Sequence, residues 1–70
     1  MNNELLSLRN KNGLTQQEVA KAINKTTSYY GMLEGGKRKP SIKVAYALAN
    51  FYGTTMEKIF FTNANNFKLN

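Results

Sequence analysis

The amino-acid sequence predicts an all-α domain built from five short helices. Three observations carry that prediction. Apolar residues recur at helical spacing in separate stretches, as in Leu5/Leu8 and Ala45/Leu48/Ala49/Tyr52. A residue that starts helices well stands before each stretch: Asn3, Thr15, Thr26, Ser41 and Thr55. Residues that tolerate a left-handed backbone, Gly13, Asn24 and Gly53, stand where stretches end, and Gly35-Gly36 opens a loop after the third.

The first helix is expected from about Asn3 to Lys11, capped by Asn3, with Leu5 and Leu8 inward and Gly13 as its stop. Leu14 to Gly36, LTQQEVAKAINKTTSYYGMLEGG, then reads as two short helices joined by a sharp turn. Thr15 with Glu18 three residues on has the spacing of a capping box. Val19, Ala20 and Ile23 give the second helix a narrow apolar face, and Ala20 is small where another helix must cross closely. Asn24 allows the abrupt stop. Thr26 caps the third helix, which turns Tyr30 and Leu33 inward and leaves Thr27, Ser28, Tyr29, Gly31 and Met32 outside. Gly31 costs about 1 kcal/mol of helix propensity, and close approach to DNA or to another helix is the usual reason for such a glycine. Gly35 to Pro40 is a loop. The fourth helix follows Ser41 and runs to Tyr52, with Ile42, Ala45, Leu48, Ala49 and Tyr52 on one face. Thr55 caps a fifth through Phe60 that presents Met56 and Ile59 to the core. Residues 1–61 are expected to form a single domain, and the asparagine-rich tail 62–70 to be poorly ordered.

A chain of 70 residues buries only about 60% of its unfolded surface, so a modest stability is expected and a second subunit would add to it. Lys and Arg number 10 against 4 acidic residues, a formal charge of +6. Their densest cluster, Lys37-Arg38-Lys39, follows the third helix, where positive charge suits nucleic acid. With no Cys and no His, disulfides, thiolate chemistry and nearly every zinc site are excluded. The glutamates show no paired spacing and no glycine-rich phosphate loop precedes a helix. No catalytic residue, metal or cofactor is therefore expected, and no small-molecule substrate is evident. No apolar run approaches the roughly 20 residues of a membrane span and no signal-like stretch opens the chain. A cytoplasmic location is the expectation. A membrane-surface helix is disfavoured too, since the apolar positions are distributed over five capped helices.

The spacing from Leu14 to Gly36 is that of a helix-turn-helix, which places a helix in the DNA major groove. The match extends to Leu8-Arg9, Gly13-Leu14-Thr15-Gln16, Glu34, Gly36-Lys37-Arg38, Pro40-Ser41, Leu48-Ala49, Gly53 and Thr55 to Phe60. Over about residues 3–61 the chain resembles the phage Cro/repressor type of helix-turn-helix protein, the lambda-repressor-like or XRE family. That resemblance implies a compact five-helix DNA-binding domain with the helix-turn-helix at helices 2 and 3. It also implies a double-stranded DNA-binding transcriptional regulator, most simply a homodimeric repressor reading an inverted-repeat operator. An antitoxin or adaptor that uses the same fold to bind protein is the alternative. Three positions depart from the family pattern: Asn24 replaces the usual turn glycine, Lys25 stands where an apolar residue is usual, and Tyr30 where Ile or Val is usual, so the Tyr30 hydroxyl must find a partner or reach the surface.

The resemblance also assigns roles. Arg9 and Glu34 fall where the family holds a largely buried ion pair. Gln16 falls where a side chain and a helix N-terminus meet a DNA phosphate. Thr27, Ser28 and Met32 align with base-reading positions. The hydroxyls of Thr27 and Ser28 suit more than one base, and Thr27 and Met32 can touch thymine methyls. Tyr29, grouped with them, can stack on a sugar edge or bond a phosphate through its hydroxyl. Lys37, Arg38 and Lys39 would meet the backbone, supplying affinity without sequence information. Val44, Ala47 and Phe51 fall on a second face of the fourth helix, with Tyr46 nearby and Phe61 beyond the fifth. Exposed apolar area of this kind marks a partner site, and Phe51, Phe61 and Val44 are the expected dimer contacts.

Overall fold

The computed structural model describes residues 3–60, which form α1 (Asn3–Lys11), α2 (Gln16–Ala22), α3 (Thr27–Glu34), α4 (Ile42–Tyr52) and α5 (Met56–Phe60). The expected tail 62–70 and Phe61 lie outside the described residues. Helix starts follow the capping residues. Thr15 accepts from the Glu18 amide while Glu18 accepts from the Thr15 amide, at 3.0 and 2.8 Å. Thr26, Ser41 and Thr55 each accept from the amide three residues on. α1 is described from Asn3 on, so Asn3, expected as its cap, stands within the helix, and what precedes it lies outside the described residues.

Helix ends share one device. At Gly13 the chain turns to φ +65°, and the Leu14 amide reaches back to the Arg9 carbonyl at 3.0 Å. A side chain would resist that backbone; glycine does not. The same reach-back closes α2 at Asn24, α3 at Gly36 and α4 at Gly53, all at positive φ. Asn24 is the one non-glycine among them, and it sits in the turn between α2 and α3.

α2 packs on α3 and α4 on α5, while α1 touches both α3 and α5. Leu5, Val19, Ala20, Ile23, Tyr30, Leu33, Val44, Ala45, Leu48, Ala49 and Ile59 form one buried cluster, with Leu8, Leu14 and Met56 packed at its edge. Among the described residues no helix is long and apolar enough to cross a membrane.

α4 corrects two expectations. Ile42 is 72% exposed, not inward, and Val44 is 6% exposed, not on an outer face. Positions two apart lie about 200° around a helix from each other, so only one of them can join Leu48 in the core. Val44, four residues before Leu48, shares its stripe.

Candidate nucleic-acid interface

Arg9 grips Glu34 with a two-pronged fork: Nε donates to Oε2 and Nη2 to Oε1, the latter at 3.1 Å. Its third nitrogen, Nη1, donates to the Leu14 carbonyl at 3.0 Å. Both side chains are largely covered, with 18% of Arg9 and 7% of Glu34 exposed. α1 is thereby fastened to the last turn of α3.

Glu34 holds a second partner. Gln16, first residue of α2, donates from Nε2 to Glu34 Oε1 at 3.1 Å. An ionised carboxylate can only accept, so this bond fixes which way the Gln16 amide faces. The carbonyl oxygen Oε1 then lies over α3, 3.4 Å from where a methyl group on Gly31 would sit. No other neighbour comes as close to that point. Gly31→Ala should therefore be accommodated beside the flexible end of Gln16. It should raise folding stability by about 0.5–1 kcal/mol through helix propensity. Urea denaturation would check this, and a loss of stability would show that Gln16 cannot yield.

Burial pushes the Glu34 carboxyl up, but hydrogen bonds from Arg9, Gln16 and Tyr30 outweigh it and hold the group below the usual glutamate range. The folded state thus binds its proton less readily than the unfolded chain. The stabilisation is complete above the unfolded value of about 4.3 and is lost as pH falls through the lower folded value. Stability should be flat with respect to this group from pH 7 to about 5 and decline in acid. Glu34→Gln should remove much of that decline in denaturation measured across pH.

Tyr30, fully buried, finds its partner in Tyr52: the two hydroxyls hydrogen-bond at 2.8 Å. Burial raises both phenols above their ordinary value, with the Tyr30 bond partly offsetting the rise at Tyr52. Among the described residues no buried side-chain nitrogen or oxygen lacks a hydrogen-bond partner.

On the outer side of α3, Thr27 and Ser28 are exposed and Met32 is partly so. Lys37, Arg38 and Lys39 are exposed on the loop that follows. Gln16 is half-buried beside this face. Tyr29 differs from its neighbours: its ring is half-buried and packs against the core. The Lys25 ammonium and the Arg38 guanidinium lie over that ring, 5.5 and 5.3 Å from its centre. Sequence reasoning assigned Lys25 no role, although its position four residues before Tyr29 is a usable signal; nothing local marks Arg38 as its companion. Of the expected dimer contacts, Phe51 is 41% exposed at the end of α4, Val44 is in the core, and Phe61 is outside the described residues.

Two short helices locked across a sharp left-handed turn, with the second presenting a polar outer face beside a basic loop, define a helix-turn-helix domain. The helix-turn-helix family model matches residues 5–59, and the chain belongs to that family, as an XRE-type, lambda-repressor-like member. It is 37% identical over 60 residues to an uncharacterised HTH-type transcriptional regulator of Methanocaldococcus jannaschii, covering 86% of this chain and 91% of that one. A protein of the same description from Archaeoglobus fulgidus is 33% identical over 60 residues, 86% of each chain. Another, from Bacillus subtilis, is 44% identical over 45 residues, 64% of this chain and 59% of the relative. No solved structure matches the chain at a significant level.

Proposed function

We propose that this chain is a sequence-specific, double-stranded DNA-binding transcriptional regulator that acts in the cytoplasm as a homodimeric repressor on an inverted-repeat operator. The observation that carries this reading is the outer face of α3. Thr27, Ser28 and Met32 are left outside on a helix whose inward side is fully occupied by Tyr30 and Leu33. A run of three cations follows at its end. In this reading Thr27, Ser28 and Met32 meet base edges, and Gln16, Lys37, Arg38 and Lys39 meet phosphates. Its relatives' description as HTH-type transcriptional regulators supports the same class.

α3 has only 8 residues, so one copy reads few base pairs and a single module of this size buries limited DNA surface. Two copies related by a two-fold axis reach successive major grooves about 34 Å apart. Phe51 supplies exposed apolar area for the joint at about 25 cal/mol per Å². Selection from a random duplex pool tests the reading. It should enrich inverted half-sites about one helical turn apart, and Phe51→Glu should give folded monomers that lose this preference. Enrichment of no sequence would refute specific DNA reading. A monomeric protein at high micromolar concentration with full affinity for one half-site would refute the dimer.

A further inference from the structure

We infer that Tyr29 acts through its ring as a positioning residue that gathers Lys25 and Arg38 into a two-cation grip for one stretch of DNA phosphate beside α3, with Lys25 a phosphate ligand in its own right. The inference rests on the DNA-binding reading above and names a part of that same surface.

The two cations come from opposite ends of α3, one from the turn before it and one from the loop after it, yet both settle on a ring in its first turn. Like charges gathered this way repel each other. Neither makes an ion pair with a carboxylate among the described residues; the aromatic face is what holds them. Contact with a ring differs from a salt bridge in what it leaves free. The ring attracts the cation through its quadrupole and takes up no acceptor site, so the N–H donors stay available. An ammonium and a guanidinium held so are ready for phosphate oxygens, the guanidinium by two donors at once and the ammonium as a point charge.

The packing of the ring against the core matters as well as the charges it gathers. Free Lys and Arg side chains lose much rotamer freedom when they bind, and a ring anchored in the core edge restricts them beforehand. Lys25, at a position where its family is usually apolar, is exposed, and its ammonium is delivered to the Tyr29 ring in the first turn of α3. Tyr29 thereby serves affinity and orientation rather than base choice.

Equilibrium binding of the full chain to its selected duplex and to a random duplex, over a range of salt, tests this with Tyr29→Phe, Tyr29→Leu, Lys25→Ala and Arg38→Ala. Tyr29→Phe keeps the ring and should stay within about twofold of the unmodified protein. Tyr29→Leu keeps apolar packing but not the quadrupole. It should weaken both duplexes alike by about tenfold, and should change nothing further in the Lys25→Ala/Arg38→Ala background. Lys25→Ala and Arg38→Ala should each lower the salt slope by about one unit per protomer. These two exposed positions keep the test decisive should Tyr29→Leu fail to fold. Unchanged slopes in both lysine and arginine variants, a Tyr29→Phe loss as large as that of Tyr29→Leu, or a new sequence preference on removing the hydroxyl would each overturn the inference while the DNA-binding reading stands. An unmodified protein that binds no duplex would overturn both.

Discussion

Arg9→Ala and Glu34→Ala should each lower folding stability by about 3–5 kcal/mol, and the double mutant should lose far less than the sum. The asymmetry follows from burial. Removing Arg9 leaves a desolvated carboxylate that keeps the Gln16 amide as its side-chain hydrogen-bond donor. Removing Glu34 leaves a largely covered guanidinium with only the Leu14 carbonyl, and frees the Gln16 amide as well. Losing both charges leaves neither orphan, so the second mutation relieves part of what the first caused. A small domain holds only about 5–15 kcal/mol in total, so either single change removes a large share. Urea denaturation of the four proteins of the cycle measures the coupling; strict additivity would sink the ion pair as a stabilising unit.

DNA affinity should collapse by roughly four orders of magnitude between 50 and 200 mM salt. If each protomer makes about four phosphate contacts, a dimer neutralises about eight charges and the log–log slope lies near −7. Lys37→Ala should weaken every duplex about equally. Thr27→Ala or Ser28→Ala should instead change which duplex is preferred, because those side chains face outward where bases would lie. A slope near zero with duplex DNA would remove DNA from the account.

Local chemistry made the helix boundaries legible. Thr15 with Glu18, Thr26, Ser41 and Thr55 all cap as their types and spacing predict, because a cap is decided by three or four adjacent residues. Gly13, Asn24 and Gly53 stop helices for equally local reasons, and Gly36, read only as loop, closes α3 in the same way. The phase of α4 was legible except at its start. Ala45, Leu48 and Ala49 are buried as their spacing predicts, but Ile42 and Val44 each fit a helical apolar pattern with Leu48, and only packing against the rest of the fold decides between those two. The Arg9–Glu34 pair was readable through family resemblance, but the third member of that cluster was not: Gln16 and Glu34 are 18 residues apart and no periodicity joins them. Tyr30 announced a need for a partner, and Tyr52, 22 residues away, answered it through tertiary structure alone. Tyr29 read as one more outward side chain of a short helix, and its half-burial beneath two cations depends on where the loop carrying Arg38 returns.

The tyrosines have an optical consequence. The chain contains no tryptophan and 4 tyrosines, so tyrosine dominates its near-ultraviolet signal. Those rings sit in three different surroundings: Tyr30 and Tyr52 share a hydrogen bond in and beside the core, Tyr29 lies under two cations, and Tyr46 is 60% exposed. The chain thus carries built-in chromophores at its interior, at its α3 face and on its solvent side, and their summed signal responds to unfolding and to contact at the α3 face without a foreign label.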